Sequence, residues 1–196
     1  MKTNYQLETD RIIETLGETK PRLLLHSCCG PCSSYVLEYL TRYFDVTLLY
    51  YNPNIQPEAE YEKRLHFQRE LLKHIPAEIL ECSYDGAAFA AAARGLEAEP
   101  EGGARCTRCF ALRLEETARR AAAHGFPWYC TTLTVSPHKD QERINRLGAE
   151  IGSIYGVRWL PSDFKKRDGY LRSIRLAEQY GLYRQEWCGC AFSRKD

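Results

Sequence analysis

RLLLHSCCGPCSSYVLEYL, residues 22–40, places three cysteines between a strand pattern and a helix pattern. The leucines at 23–25 form a short apolar run, whereas Val36, Leu37 and Leu40 recur at helical spacing. Thiols at that junction would face the free N–H groups and the positive dipole end of the helix, and both lower a thiol pKa. Because thiolate is both a metal ligand and a nucleophile, the segment predicts metal or redox chemistry.

The same strand-then-helix alternation repeats along the chain. Further apolar runs predict strands, and the amphipathic runs between them predict helices. This alternation favours an α/β fold with one mostly parallel sheet covered by helices on both faces. The predicted strands are 22–26, 46–51, 78–82, 128–132 and 157–160, and the predicted helices are 61–75, 110–124, 144–154 and 171–177.

Length and composition predict one domain. Residues 1–20 form a polar N-terminal extension, and 21–196 form a single catalytic α/β domain in which 97–103 is a mobile insertion. The formal net charge of +1 does not by itself require a polyanionic partner. We find no signal peptide and no apolar run of roughly 20 residues that could span a membrane, so a cytoplasmic, reducing setting is expected.

Polar motifs follow each predicted strand. HSCCGPCS follows the first, and NPNIQPE, SYDG, LTVSPHKD and PSDFKKRDGY follow the others. Ligands of open α/β sheets bind beyond the carboxyl ends of the strands, where the strand order reverses. We therefore expect these loops to surround one site.

Seven of the nine cysteines fall into three clusters, and two clusters could share one metal group. Cys28 and Cys29 together with Cys106 and Cys109 offer four thiolates, the complement of a 4Fe–4S cluster or of tetrahedral zinc. Buried packing is the alternative for such thiols, and Cys29–Gly–Pro–Cys32 is also the thioredoxin tetrapeptide. The two isolated cysteines at 82 and 130 lie in predicted strands and are assigned to the core.

The third cluster is Cys188–Gly189–Cys190. This spacing is too short for an unstrained disulfide, so a bond formed here would be easily reduced. The two sulfurs could instead bind one metal, and incidental thiols in a C-terminal tail are the alternative without function.

A basic segment precedes this cluster. Lys165, Lys166 and Arg167 could contact phosphates, and aromatic residues such as Tyr170 and Trp187 could stack on an unpaired base. Nearby acidic residues balance much of the charge, so an ordinary solvated helix face is equally consistent with the composition.

Taken together, the motifs resemble one family, the cobalamin-independent epoxyqueuosine reductases. The resemblance covers nearly the whole chain after residue 20, with no departure at a motif position. It rests on HSCCGPCS at 26–33, YYNPNIQPEAEY at 50–61, RCTRCFALRLEETA at 105–118, TTLTVSPHKD at 131–140, DFKKRDGYLRS at 163–173 and WCGCAFS at 187–193.

This resemblance implies the last step of queuosine synthesis, reductive removal of the epoxide oxygen of epoxyqueuosine at the wobble position of tRNA. It implies an electron donor and a fold shared with ATP-using tRNA-modifying enzymes. HSCCGPCS replaces their phosphate loop, so ATP is not expected. The implied 4Fe–4S ligands are Cys28, Cys29, Cys106 and Cys109, and the implied catalytic pair, a redox disulfide or the ligands of a second, mononuclear iron, is Cys188 and Cys190.

Two other functions stay open on the sequence alone. Cys29 and Cys32 could serve a thioredoxin-like thiol–disulfide oxidoreductase, or zinc could staple a non-catalytic RNA-binding module. For the implied reaction, the sequence offers Tyr129, His138 and Asp163 as candidate proton donors to the leaving oxygen.

Overall fold

A computed structural model describes residues 3–193 and contains one five-stranded parallel sheet. All five predicted strands are confirmed, with ends shifted by a residue or two. The strand order is β3-β2-β1-β4-β5, and Leu25 of β1 pairs with Leu48 on one side and Cys130 on the other. The strands are β1 Arg22–His26, β2 Asp45–Tyr50, β3 Glu78–Glu81, β4 Trp128–Thr131 and β5 Arg158–Trp159.

Helices connect the strands, and the predicted ones are confirmed. They are α1 Tyr5–Leu16, α2 Gly30–Leu40, α3 Glu58–Leu72, α4 Gly86–Ala93, α5 Ala104–Ala123, α6 Gln141–Tyr155 and α7 Gly169–Gln179, with short 3-10 helices at Thr132–Val135 and Ala191–Ser193. The start of α5 was predicted too late, at residue 110. The Glu99 carboxylate accepts a hydrogen bond from the Ala104 N–H, so Cys106 and Cys109 lie inside the first turns of the helix.

The sheet separates two hydrophobic cores, as the α/β prediction requires. Side chains along a strand alternate between the faces. Leu23 and Leu25 therefore pack in the core formed with α2 and α7, whereas Leu24 packs in the core formed with α5 and α6. All three leucines are fully buried, and each such burial contributes about 2 kcal/mol.

The polar segment at the N-terminus forms α1, an element that the sequence did not predict. The Thr9 hydroxyl donates to the Pro161 carbonyl at 2.6 Å, and Ile12, Ile13 and Leu16 pack against the α2–α7 core. This helix therefore packs against the rest of the fold. Among residues 3–193, no helix is both long enough and apolar enough to span a bilayer.

The 97–103 stretch is not the mobile insertion that its composition suggests. The buried Arg105 guanidinium donates to the carbonyls of Leu96, Glu97 and Glu99. Arg143 of α6 donates to the Gly102 carbonyl at 2.6 Å. Charge-assisted hydrogen bonds to several carbonyls fix the stretch against α5 and α6.

The strand order reverses at β1, which lies between β2 and β4. At the carboxyl ends of β1 and β4, His26 Nδ1 lies 2.9 Å from the Thr131 hydroxyl, and both residues are fully buried. This reversal is the position at which open parallel sheets bind their ligands.

Candidate functional site

A cavity of about 1260 Å³ lies at the reversal point, beyond the carboxyl ends of the strands. The loops after β1, β2 and β4 line it, as predicted, and the chain after β5 reaches it through α7. Among residues 3–193, the loop after β3 contributes no lining residue. Representative lining residues are Cys28, Cys32, Asn52, His138, Lys139, Tyr170 and Gln185.

Three thiols meet at the edge of this cavity, where α2 begins. The sulfurs of Cys28, Cys29 and Cys32 all lie within 4.8 Å of one another, and those of Cys28 and Cys29 are 3.8 Å apart. Cys29 is the extended residue that precedes α2, and Gly30 begins the helix. A Cβ at Gly30 would lie 2.8 Å from the Phe67 carbonyl oxygen, so glycine permits this close approach of α2 to α3. The predicted placement of thiols at a helix N-terminus is confirmed.

Side chains from distant parts of the chain hold the sulfurs. The Thr132 hydroxyl accepts from the Cys28 N–H at 3.1 Å and donates to the Cys28 sulfur at 3.3 Å. The Gln185 amide donates to the Cys29 sulfur at 2.9 Å. Hydrogen bonds to sulfur favour the thiolate form, which is the form that binds metal.

The three thiols do not share the same protonation. Hydrogen bonds from Cys29 and Cys32 lower the pKa of Cys28 well below its usual range, with a smaller contribution from the charge of Lys139. The same contacts raise the pKa of Cys32 well above its usual range, and the pKa of Cys29 rises to about 12, chiefly through its bond with Cys28. A thioredoxin-like pair needs its nucleophilic thiolate within the C-x-x-C, whereas here the pKa is lowered at Cys28, before it, and raised at Cys29 and Cys32. The thioredoxin alternative is therefore not favoured.

The C-x-x-C of α5 opens onto an adjoining cavity. Cys106, Cys109, Cys188 and Cys190 all line this second cavity. Within residues 3–193, the group of sulfurs inside 4.8 Å contains Cys32 and omits Cys106 and Cys109. The two cavities share lining residues and form one continuous cleft. Six of the seven clustered cysteines line it, and the sulfur of the seventh, Cys29, lies within 4.8 Å of those of Cys28 and Cys32. The shared residues are Glu101, Arg113, His138, Lys139 and Cys188.

The C-x-C segment is held by its backbone. The Asn54 amide and the buried Arg64 guanidinium donate to the Cys188 carbonyl at 3.3 and 3.2 Å. Gly189 has a φ of +99°, and its carbonyl accepts from the Gln56 N–H at 2.9 Å. Glycine permits this left-handed turn, which places both sulfurs toward α5.

The two thiols of this segment also differ. Hydrogen bonding from Cys190 lowers the pKa of Cys188 to about 5, and the Ser193 hydroxyl lies 3.0 Å from its sulfur. The bond with Cys188 and burial raise the pKa of Cys190 well above its usual range. The pKa values of the two thiols are thus shifted in opposite directions, the arrangement typical of reactive dithiols.

The structure adds site residues that the sequence did not identify, namely Arg113, Lys139 and Gln185. Arg113 is 4% exposed, and its Nε donates to the Cys109 carbonyl one turn earlier in α5. A basic residue four positions after a cysteine, on the apolar face of a helix, is the sequence signal that could have revealed it. Lys139 and Gln185 carry no such pattern, because their role depends on contacts across the fold.

Two of the three candidate proton donors lie outside the lining of both cavities. Tyr129 is fully buried, and its hydroxyl donates to the Gly148 carbonyl. Asp163 is buried and forms an ion pair with Lys165 at 2.5 Å. Neither lines the cleft, whereas the exposed His138 lines both cavities.

The basic segment is largely neutralised within the protein. Arg167 pairs with Asp10 of α1 at 2.5 Å, Lys165 pairs with Asp163, and the Lys166 ammonium lies 3.5 Å from the Asn4 side chain. The cations that line the main cavity are others, namely Arg64, Arg113, Lys139 and Arg184.

This donor set fits a thiophilic metal cluster. Thiolates prefer soft metals, and a cluster held by thiolates carries net negative charge that buried cations such as Arg113 offset. Buried amide oxygens of Asn54 and Gln185 have no hydrogen-bond partner within the described chain, so the site is polar as well as thiol-rich. The cysteine group therefore offers the kind of ligands that a metal cluster requires.

Comparisons with known proteins identify one family. A sequence model of the family described as "Epoxyqueuosine reductase QueH" matches residues 23–196. Proteins of that name are 43% identical in Staphylococcus epidermidis (98% of this chain, 85% of that protein) and 39% in Streptococcus pyogenes serotype M1 (100% and 81%). The one from Thermotoga maritima is 35% identical (87% and 89%).

A solved structure shares the fold. The U34-tRNA thiolase NcsA from Methanococcus maripaludis, described with its [4Fe-4S] cluster, superposes with a TM-score of 0.56. The match covers 96% of this chain and 68% of that one at 13% identity, so the likeness concerns the fold alone.

Proposed function

Because this chain belongs to the epoxyqueuosine reductase QueH family, we propose that it reduces epoxyqueuosine to queuosine at the wobble position of tRNA. The observation that carries the proposal is the convergence of three cysteine clusters on one cleft. In the reaction two electrons and two protons enter, both C–O bonds of the epoxide break, the ring carbons form a double bond, and the oxygen leaves as water.

Cys28, Cys29, Cys106 and Cys109 are proposed to hold a 4Fe–4S cluster. Such a cluster would supply electrons one at a time at low potential. Arg113 would offset its negative charge from the cleft wall. Cys32, whose pKa is raised, would remain a thiol that donates to the Cys28 thiolate.

Cys188 and Cys190 are proposed as the catalytic pair. Their carbonyl and backbone contacts place both sulfurs in the cavity that also contains Cys106 and Cys109. They act either as a redox dithiol or as ligands of a second, mononuclear iron. An iron count on purified protein separates these roles, because the second requires one iron beyond the four of the cluster.

The tRNA is proposed to enter over the main cavity. Arg184 lies on its wall and can contact phosphates, and Tyr170 can stack on a splayed base. ATP is not required in this proposal, because HSCCGPCS stands where ATP-using relatives of the fold carry a phosphate loop. Electrons come from an external low-potential donor.

The decisive experiment is a conversion assay on anaerobically purified protein. We expect about four iron and four sulfide per chain, or one more iron if the second site fills. With dithionite and epoxyqueuosine-containing tRNA, and without ATP or cobalamin, nucleoside analysis should show queuosine. Stoichiometric zinc without labile sulfide, together with no conversion, would instead support the zinc-stapled RNA-binding alternative.

The entry path has its own test. Replacement of Lys165, Lys166 and Arg167 by Glu should weaken tRNA binding less than about 3-fold, because two of these cations are paired internally. Arg184→Glu alone should weaken it more and should reduce the salt dependence of binding. If the triple variant weakened tRNA binding more than Arg184→Glu did, the RNA would instead bind along the basic segment.

A further inference from the structure

Lys139 occupies a position that the proposed function has not yet explained. It follows β4, in the turn that precedes α6, and it is half-buried. Its side chain lines both the cavity with Cys28 and Cys32 and the cavity with Cys188. A half-buried ammonium normally has a carboxylate or carbonyl partner, because desolvation of a charge is costly.

No such partner is present. Across residues 3–193, the Lys139 ammonium forms no hydrogen bond and no ion pair, and only its backbone N–H is bonded, to the Ser136 carbonyl. The acidic side chain that lines both cavities is Glu101, which is exposed. The ammonium therefore has donor capacity that a bound substrate could use.

The charge of Lys139 acts on sulfurs of two different cysteine clusters. After the hydrogen bonds from neighbouring thiols, the charge of Lys139 contributes to lowering the pKa of Cys28 and also that of Cys188. His138 lines the same cavities, but it is exposed. Of the two neighbours, Lys139 is thus the more buried one, and it lines the cavities that contain both sulfurs.

We infer that Lys139 is the catalytic acid that donates a hydrogen bond, and then a proton, to the epoxide oxygen. The inference rests on the proposed function. As the C–O bonds break, the oxygen takes one proton from the ammonium and a second from solvent, and it leaves as water. The two electrons come from the low-potential reductant. The neutral amine regains its proton from solvent, which reaches a half-buried side chain.

The test compares Lys139→Met, which removes the charge, with Lys139→Arg, which keeps the charge but binds its proton too tightly to give it up. Single-turnover rates are measured at saturating enzyme with epoxyqueuosine-containing tRNA and dithionite. Both variants should be slower by about 100-fold or more, the usual contribution of a general acid. Lys20→Met is the control, because Lys20 lies before β1 and donates to the Thr41 carbonyl. Its rate should not change.

Two readouts do not depend on turnover. Iron and sulfide content should match the parent in both variants, and the tRNA dissociation constant should change by less than about 3-fold, as for one phosphate contact at most. Methylamine added to Lys139→Ala should restore part of the rate, because a free ammonium can occupy the vacated space and donate the proton.

Several results would overturn the inference. An unchanged single-turnover rate with weaker tRNA binding would make Lys139 a phosphate contact. Full activity of Lys139→Arg would make its role electrostatic only, and this variant decides the matter if Lys139→Met fails to load metal. A larger loss in His138→Gln than in Lys139→Met would assign the acid to His138. A parent protein with no conversion would instead refute the proposed function, and this inference with it.

Discussion

The cysteines at the start of α2 and those of the C-x-C segment are held in different ways. Cys28 and Cys29 follow a central strand, and side chains bond directly to their sulfurs. Cys188 and Cys190 lie in a loop that is held mainly through the backbone carbonyls of 188 and 189. Rigid sulfurs suit a permanent ligand set, whereas sulfurs on a tethered loop can change bonding partners during turnover.

The largest expected effect tests the ligand set that the first region is proposed to share with Cys106 and Cys109 of α5. Cys106→Ala should lose most of the cluster absorbance, and turnover should fall on the order of 1000-fold or more, as for loss of an essential catalytic unit. Iron analysis and the conversion assay measure both. Cys130→Ala is the matched control, because Cys130 is fully buried in the core. This variant should keep its iron. If Cys106→Ala kept its iron and Cys32→Ala lost it, Cys32 rather than Cys106 would be the cluster ligand.

The second region should separate iron content from activity. Cys188→Ala should keep the four-iron cluster, whereas turnover should fall on the order of 100-fold or more, the range seen when one catalytic group is lost. Metal analysis and single-turnover kinetics on one preparation measure the two quantities. Full turnover would show that the cluster alone suffices, and the proposed division between the two regions would fail.

The pH dependence of stability tests the first region through His26, which ends the strand before Cys28. Burial, and then the charge of Arg113, lower the pKa of His26 to about 4 from its usual 6.5. The unfolded chain therefore binds a proton more readily than the folded protein between these values. Stability from this group is fully present above pH 6.5 and is lost as pH falls toward 4, by up to about 3 kcal/mol.

Urea unfolding of the reduced, metal-free protein measures this loss. Stability should fall more steeply with acid in the parent than in His26→Gln, since the variant has no imidazole to protonate. Parallel pH profiles for the two proteins would mean that the folded protein accommodates the protonated ring.

The smallest effect concerns the turn of the C-x-C loop. At Gly189, an added Cβ would lie 2.8 Å from the Ile55 side chain at a φ of +99°. Gly189→Ala should shift both sulfurs and slow turnover about 10-fold, because misplacement of reacting groups by a fraction of an ångström is costly. Cluster content should not change. Gly125→Ala adds the same kind of backbone strain in open space, so its turnover should match the parent.

The sequence predicted the five strands because apolar runs of strand length stand between amphipathic stretches. It predicted the cleft because polar motifs follow strands that end at one edge. The start of α5 was placed wrongly because Glu99 and Arg105 cap and tether it through contacts that no periodicity records. Lys139 escaped assignment for a similar reason, since a single lysine in a turn becomes informative only when its surroundings contain no partner.

The Thr132 hydroxyl bonds to Cys28 twice, accepting from its backbone N–H and donating to its sulfur. One oxygen atom thus fixes the backbone at Cys28 and also stabilises the thiolate form of its side chain. Thr132→Val would disturb both at once, with a loss of activity resembling that of a ligand substitution. A mutational survey scored by activity alone would therefore rank Thr132 with the cysteines. Such a rank reflects how many interactions one atom makes, and it does not report how close that atom lies to the reacting groups.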